Sequence, residues 1–68
     1  MKIKGWISRD KDNGLTLYTG TKPIREHNQF WDNSGNPGSY RMSIDENLFP
    51  ELTWESEPVE VELTIKPI

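Results

Sequence analysis

Residues 59–66 alternate without a break: Val59, Val61, Leu63 and Ile65 are apolar, and Glu60, Glu62, Thr64 and Lys66 separate them. Successive side chains of a strand point to opposite faces, so this period predicts a β-strand with one buried and one wet face. Just before it, Leu48, Phe49, Leu52 and Trp54 gather around Pro50, and Pro58 closes the segment. These side chains, with the 59–65 stripe, are assigned to the core.

The same two-residue period recurs upstream. Residues 2–9 and 15–19 flank Asp10-Lys11-Asp12-Asn13-Gly14, a strong turn signal, and form the best hairpin in the chain. Parity decides its register, because residues directly opposite each other share a face. A two-residue Asn13-Gly14 turn separates Ile3 and Ile7 from Leu15 and Leu17. A three-residue loop over 12–14, with Gly14 left-handed, pairs Arg9 with Leu17 and Ile7 with Thr19 and unites all four apolar residues. The three-residue loop is therefore predicted. It leaves Trp6 and Tyr18 on the reverse face, and puts Arg9 and Lys11 on the Ile7 face.

Gly20-Thr21-Lys22-Pro23 ends the hairpin, and residues 24–28 show no period that assigns an element. Gln29-Phe30-Trp31 predicts a short strand, residues 33–38 a loop, and the alternation of Tyr40, Met42 and Ile44 a further full strand. Asp45 is placed to cap one helical turn, which Pro50 cuts short. The expected fold is mostly β in a single domain, 1–68. It is a small twisted antiparallel sheet or partial barrel of four to five strands, with one short helical turn near residues 45–52. The turn around residues 48–54 is expected to close one open end.

Sixty-eight residues with 32% hydrophobic content lie near the lower limit for an independent core. With no cysteine, neither a disulfide nor a thiolate metal site can staple the chain. Aromatic packing or self-association must compensate, and a homodimer through the 59–66 strand as an exposed edge is expected. No apolar run is long enough to span a membrane, and residues 1–6 lack the core of a signal peptide, so the expected location is the cytoplasm, with no membrane association.

Residues 1–44 carry seven Lys/Arg against four Asp/Glu, whereas residues 45–68 carry Lys66 against seven Asp/Glu. The acidic third either meets a basic partner, in the manner of a nucleic-acid mimic, or supplies cross-strand pairs, with Glu60 and Glu62 opposite Lys2 and Lys4. The latter is the expectation. On the hairpin, Lys2, Lys4, Arg9 and Lys11 interleave with Trp6 and Tyr18 as in a single-strand binder, but parity puts Arg9 and Lys11 on the other face. Trp6 and Tyr18 either close a second small core or form an exposed patch.

No catalytic residue, cofactor-binding residue or metal ligand is assigned. The 10–21 window places Gly14, Leu15 and Thr21 where a calcium loop needs a ligand, a glycine and a glutamate, and the window from Asp32 through Ser34 and Asn36 fails at Pro37 and Ser43. His27 is the sole histidine and is read as a solvated loop residue. The serines lack a nucleophile elbow, and the Glu55/Glu57 and Glu60/Glu62 pairs have the spacing of a solvated extended face.

Two stretches resemble a group of short uncharacterised proteins from gut bacteria and their mobile elements. They are Trp6-Ile7-Ser8-Arg9-Asp10 leading to Gly14-Leu15-x-Leu17-Tyr18 and Lys22-Pro23, and Leu48-Phe49-Pro50-Glu51-Leu52-Thr53-Trp54-Glu55-x-Glu57-Pro58-x-Glu60-Val61-Glu62-Leu63. The resemblance covers most of the chain outside residues 26–39. It implies a small accessory protein of phage or conjugative-element type and assigns no functional residue. The expected function is therefore a non-enzymatic interaction module whose partner is a protein. Its candidate surface is Trp6, Tyr18, Glu51, Glu55, Glu57, Glu60 and Glu62. The alternatives are an acidic nucleic-acid-mimicking inhibitor and a single-stranded nucleic-acid binder acting through the N-terminal hairpin.

Overall fold

The computed structural model describes residues 1–26, 30–33 and 37–68. The fold is mostly β, with strands β1 (Lys2–Arg9), β2 (Leu15–Thr19), β3 (Ile24–Glu26), β4 (Phe30–Asp32), β5 (Tyr40–Ile44) and β6 (Val59–Thr64). Four of them form an antiparallel sheet in the order β5-β2-β1-β6, and β3 and β4 form a separate two-stranded ribbon. The expected location of His27 in a loop, the first residue of the 29–31 strand, and the 34–36 part of the 33–38 loop lie outside the described residues.

Parity holds along the β1–β2 hairpin, but its register differs from the predicted one. Ile7 pairs with Leu17, Arg9 with Leu15 and Trp6 with Tyr18, a shift of two residues. The loop spans five residues, 10–14, not three. Asp10 N–H donates to the Gly14 carbonyl (2.8 Å), Asn13 N–H to that of Asp10 (2.9 Å), and Gly14 N–H to Asp12 Oδ1 (2.9 Å). Asn13, not Gly14, takes the left-handed conformation, at φ 79°. Asparagine tolerates that region because its short polar side chain bonds locally. A shift of two preserves every side chain's face, so the apolar set stays together.

Residues 24–26, where no period is visible, pair with β4 as a strand. Residues 45–52 form two successive turns and no helix. Leu48 N–H donates to the Asp45 carbonyl (3.1 Å) and Leu52 N–H to the Phe49 carbonyl (2.9 Å). Asp45 does cap the first turn, its Oδ1 accepting from Asn47 N–H at 2.9 Å. Pro50 disfavours right-handed helical geometry at the residue before it, and Phe49 takes φ 52°.

The sheet has two unlike faces. On the apolar face Ile7 and Leu15 pack against Leu52 from the 45–58 segment, flanked by half-buried Leu17, Ile44 and Val61. The ribbon lies on the other face, where Tyr18 O–H donates to the Trp31 carbonyl (2.7 Å) and Trp31 N–H to Asp10 Oδ1 (3.0 Å). Asn33, at the end of β4, is buried and uses Nδ2 to donate to the Thr19 (3.2 Å) and Thr21 (2.9 Å) carbonyls. Arg25 stacks between Trp31 (4.7 Å) and Trp54 (4.5 Å) and donates to the Trp54 carbonyl (2.8 Å), tying the ribbon to the closing segment.

The core assignment of the C-terminal third is corrected in part. Leu52 is buried and Trp54 half-buried, but Leu48, Phe49, Val59 and Ile65 are exposed, and Val61 and Leu63 are only half-buried. β6 is a sheet edge, and of its apolar side chains only Val61 packs against the Ile7, Leu15 and Leu52 cluster among the described residues.

Candidate functional site

Parity along four paired strands fixes what the apolar face contains. β1 contributes Ile3, Gly5, Ile7 and Arg9, β2 Leu15, Leu17 and Thr19, β5 Tyr40, Met42 and Ile44, and β6 Val59, Val61 and Leu63. Arg9 is the single charged residue among them. It is 4% exposed, and it holds the closing segment in place. Its Nε donates to the Leu52 carbonyl (2.6 Å), Nη1 to those of Asn13 (2.9 Å) and Glu46 (3.0 Å), and Nη2 to those of Leu48 (3.0 Å) and Phe49 (3.1 Å). All five guanidinium N–H groups are thereby used, and the cation rests among carbonyl dipoles.

This clamp divides the face. The end near Arg9, Leu15 and Ile7 lies under the 45–58 segment. The opposite end, built on Ile3, Leu17, Tyr40, Met42 and Leu63, has no covering element among the described residues. Tyr40 is 72% and Met42 59% exposed. Gly5 sits in the floor of this half. A Cβ there would lie 2.9 Å from the Tyr18 carbonyl and within 3.5 Å of the Leu17 and Leu63 methyls, so glycine lets those two side chains close over the strand. Of the side chains on this half, Tyr40 and Met42 are exposed, and Ile3, Leu17 and Leu63 are half-buried.

The surface expected from sequence is dispersed. Tyr18 is 1% exposed and belongs to the packing between sheet and ribbon, so it is removed from that surface. Trp6 is half-buried on the ribbon face, opposite Tyr18 on one side and Glu60 on the other. Glu60 and Glu62 share that face, and their carboxylates meet Lys4 (3.4 Å) and Lys2 (3.7 Å) as diagonal cross-strand pairs. Glu51, Glu55 and Glu57 are exposed on the 45–58 segment, a different part of the molecule. Sequence reasoning missed Tyr40 and Met42 as surface residues, because alternation assigns a face without saying whether anything covers it.

A shallow groove of about 480 Å³ runs between ribbon and sheet, past Asp10, Thr16, Tyr18, Phe30, Arg41 and Ser43. Its charged and phenolic groups are engaged in the fold. Arg41 pairs with Asp32 at 2.8 Å, and Asp10 and Tyr18 both bond the Trp31 backbone. Burial raises the Asp10 carboxyl above its ordinary value of 3.8 and the Tyr18 phenol above 10.0. Among the described residues no three His, Asp or Glu side chains converge as a metal site would require, and no helix is long and apolar enough to cross a membrane.

Comparison of the chain with protein-family models, with curated proteins and with solved structures yields no match.

Proposed function

We propose that this protein is a non-enzymatic interaction module that binds another protein through the uncovered half of its apolar sheet face. The supporting observation is the charge inventory of that face. Its single cation, Arg9, is consumed inside the fold, while Tyr40 and Met42 stand 72% and 59% exposed on β5, Met42 directly opposite Leu17. A surface without charge cannot select a phosphate backbone, whereas an apolar protein surface gains about 1.5–3 kcal/mol from each large side chain it helps to bury. The partner's matching patch is accordingly apolar and uncharged at its centre. This role suits the small accessory protein that the sequence resemblance implies.

The two nucleic-acid readings gain less support. Of the four hairpin cations, Arg9 is buried and Lys2 and Lys4 are paired with glutamates. The same pairs neutralise two of the seven acidic groups on which a mimic would rely.

A photoreactive phenylalanine analogue in place of Leu63 tests the proposal, with the same residue in place of Thr64 as the control on the opposite face of the same strand. Irradiation in a lysate of the native cells is expected to link position 63 to one protein species and position 64 to none. Equal labelling from both positions, or labelling from neither, overturns the reading.

A further inference from the structure

Among the described residues β5 and β6 are the two edges of the sheet, and they are chemically different. We propose that β5 is a homodimer edge, pairing antiparallel with β5 of a second copy about a two-fold axis through Met42 to give a continuous eight-stranded sheet.

Register arithmetic carries the inference. In an isologous antiparallel pair that keeps each face intact, the axis passes through a residue, and that residue meets its own copy. About Met42 all five residues of β5 overlap. Met42 then meets Met42, Tyr40 meets Ile44 and Arg41 meets Ser43 of the second copy, with no like charges directly opposed. The two Arg41 side chains are diagonal neighbours, and each is already compensated by Asp32 at 2.8 Å. On β6 the two registers of greatest overlap run through Val61 or Glu62, and both set glutamate against glutamate. Charge on an edge strand is a device against pairing: β6 carries two glutamates, each paired with a lysine of β1 yet set against another glutamate in both registers, whereas the one charge on β5, Arg41, meets Ser43. Instead β5 presents Tyr40 and Met42, at 72% and 59% exposure the most open large apolar side chains within any strand of the sheet.

The pairing also deepens the proposed function, on which its biological meaning rests. Because the register preserves parity, the uncovered apolar half of one sheet continues into that of the other, and the partner meets a floor twice as wide.

The chain has no cysteine, so Met42→Cys introduces a single thiol. Residues directly opposed in an antiparallel pair have Cα atoms about 4.5–5.5 Å apart, within the span of a disulfide. In a glutathione redox buffer, Met42→Cys is expected to form a covalent species of twice the 7.9 kDa chain mass, while Val61→Cys, the equivalent axis position on β6, stays at 7.9 kDa. Sedimentation of the unmodified chain from about 5 to 500 μM is expected to show mass rising toward the dimer, and Met42→Lys is expected to abolish that rise. A 7.9 kDa species throughout the range, or cross-linking of Val61→Cys as complete as that of Met42→Cys, overturns the proposal. Leu63 lies on the far edge, so its photolabelling reports on the protein partner independently of this result.

Discussion

The Arg9 guanidinium presents five donors in a planar fork, and they end on five carbonyls drawn from two loops. Lysine has three donors around a compact charge and cannot span that set. Arg9→Lys is therefore expected to lose about 2–4 kcal/mol, a large part of the ~3–10 kcal/mol available to a domain of this length. Urea denaturation reads this as a lower midpoint with an unchanged slope. By contrast, the exposed Lys2–Glu62 and Lys4–Glu60 pairs contribute about 0.2–1 kcal/mol each. Parity in the sequence does place Arg9 on the apolar face. Its burial is illegible there, because its acceptors are main-chain carbonyls, which every residue carries and no residue type announces.

Strands were easier to foresee than what surrounds them. β5 and β6 follow from alternation and β1 and β2 from looser alternation about a strong turn signal, and the β1–β2 faces survive a two-residue error in register because two is the strand period. β3 is invisible beforehand, since Ile24, Arg25 and Glu26 are held by pairing to β4 and by the stack of Arg25 between two tryptophans. The edges show the same contrast. The sequence points to 59–66 as the associating strand, whereas the proposed pairing uses β5, because either parity-preserving register of β6 sets Glu60 or Glu62 against a second glutamate as a guard. Replacing both glutamates with threonine keeps β-propensity and removes the guard. With β5 free on one side and β6 on the other, Glu60→Thr with Glu62→Thr is expected to form species heavier than a dimer, visible by light scattering. Behaviour identical to that of the parent chain would show that charge is not what protects β6.

The whole molecule is a thin two-layer object, with a Cα radius of gyration of 12.0 Å, and its small core makes stability responsive to single protons. Tyr18 must keep its proton to donate to the Trp31 carbonyl, and burial raises its pKa above 10.0. The unfolded chain releases that proton first, so stability falls as pH rises from the ordinary tyrosine value through the raised one. Asp10 works in the same direction at acid pH, because desolvation raises its pKa above 3.8 and stability falls as pH climbs through the carboxylate range. Tyr18→Phe is expected to lower stability at neutral pH and to flatten the alkaline loss, as followed by thermal melts between about pH 8 and 12. Alternation is a local property, imposed by the covalent geometry of an extended chain, so the sequence by itself determined the four strands of the main sheet and which of their side chains share a face, but not β3. Only the tertiary structure decided which half of which face is covered. That depends on segments arriving from far along the chain: residues 45–58 drawn down by Arg9 over one end, the ribbon fastened to Tyr18 on the reverse side, and nothing described over Ile3, Tyr40, Met42 and Leu63.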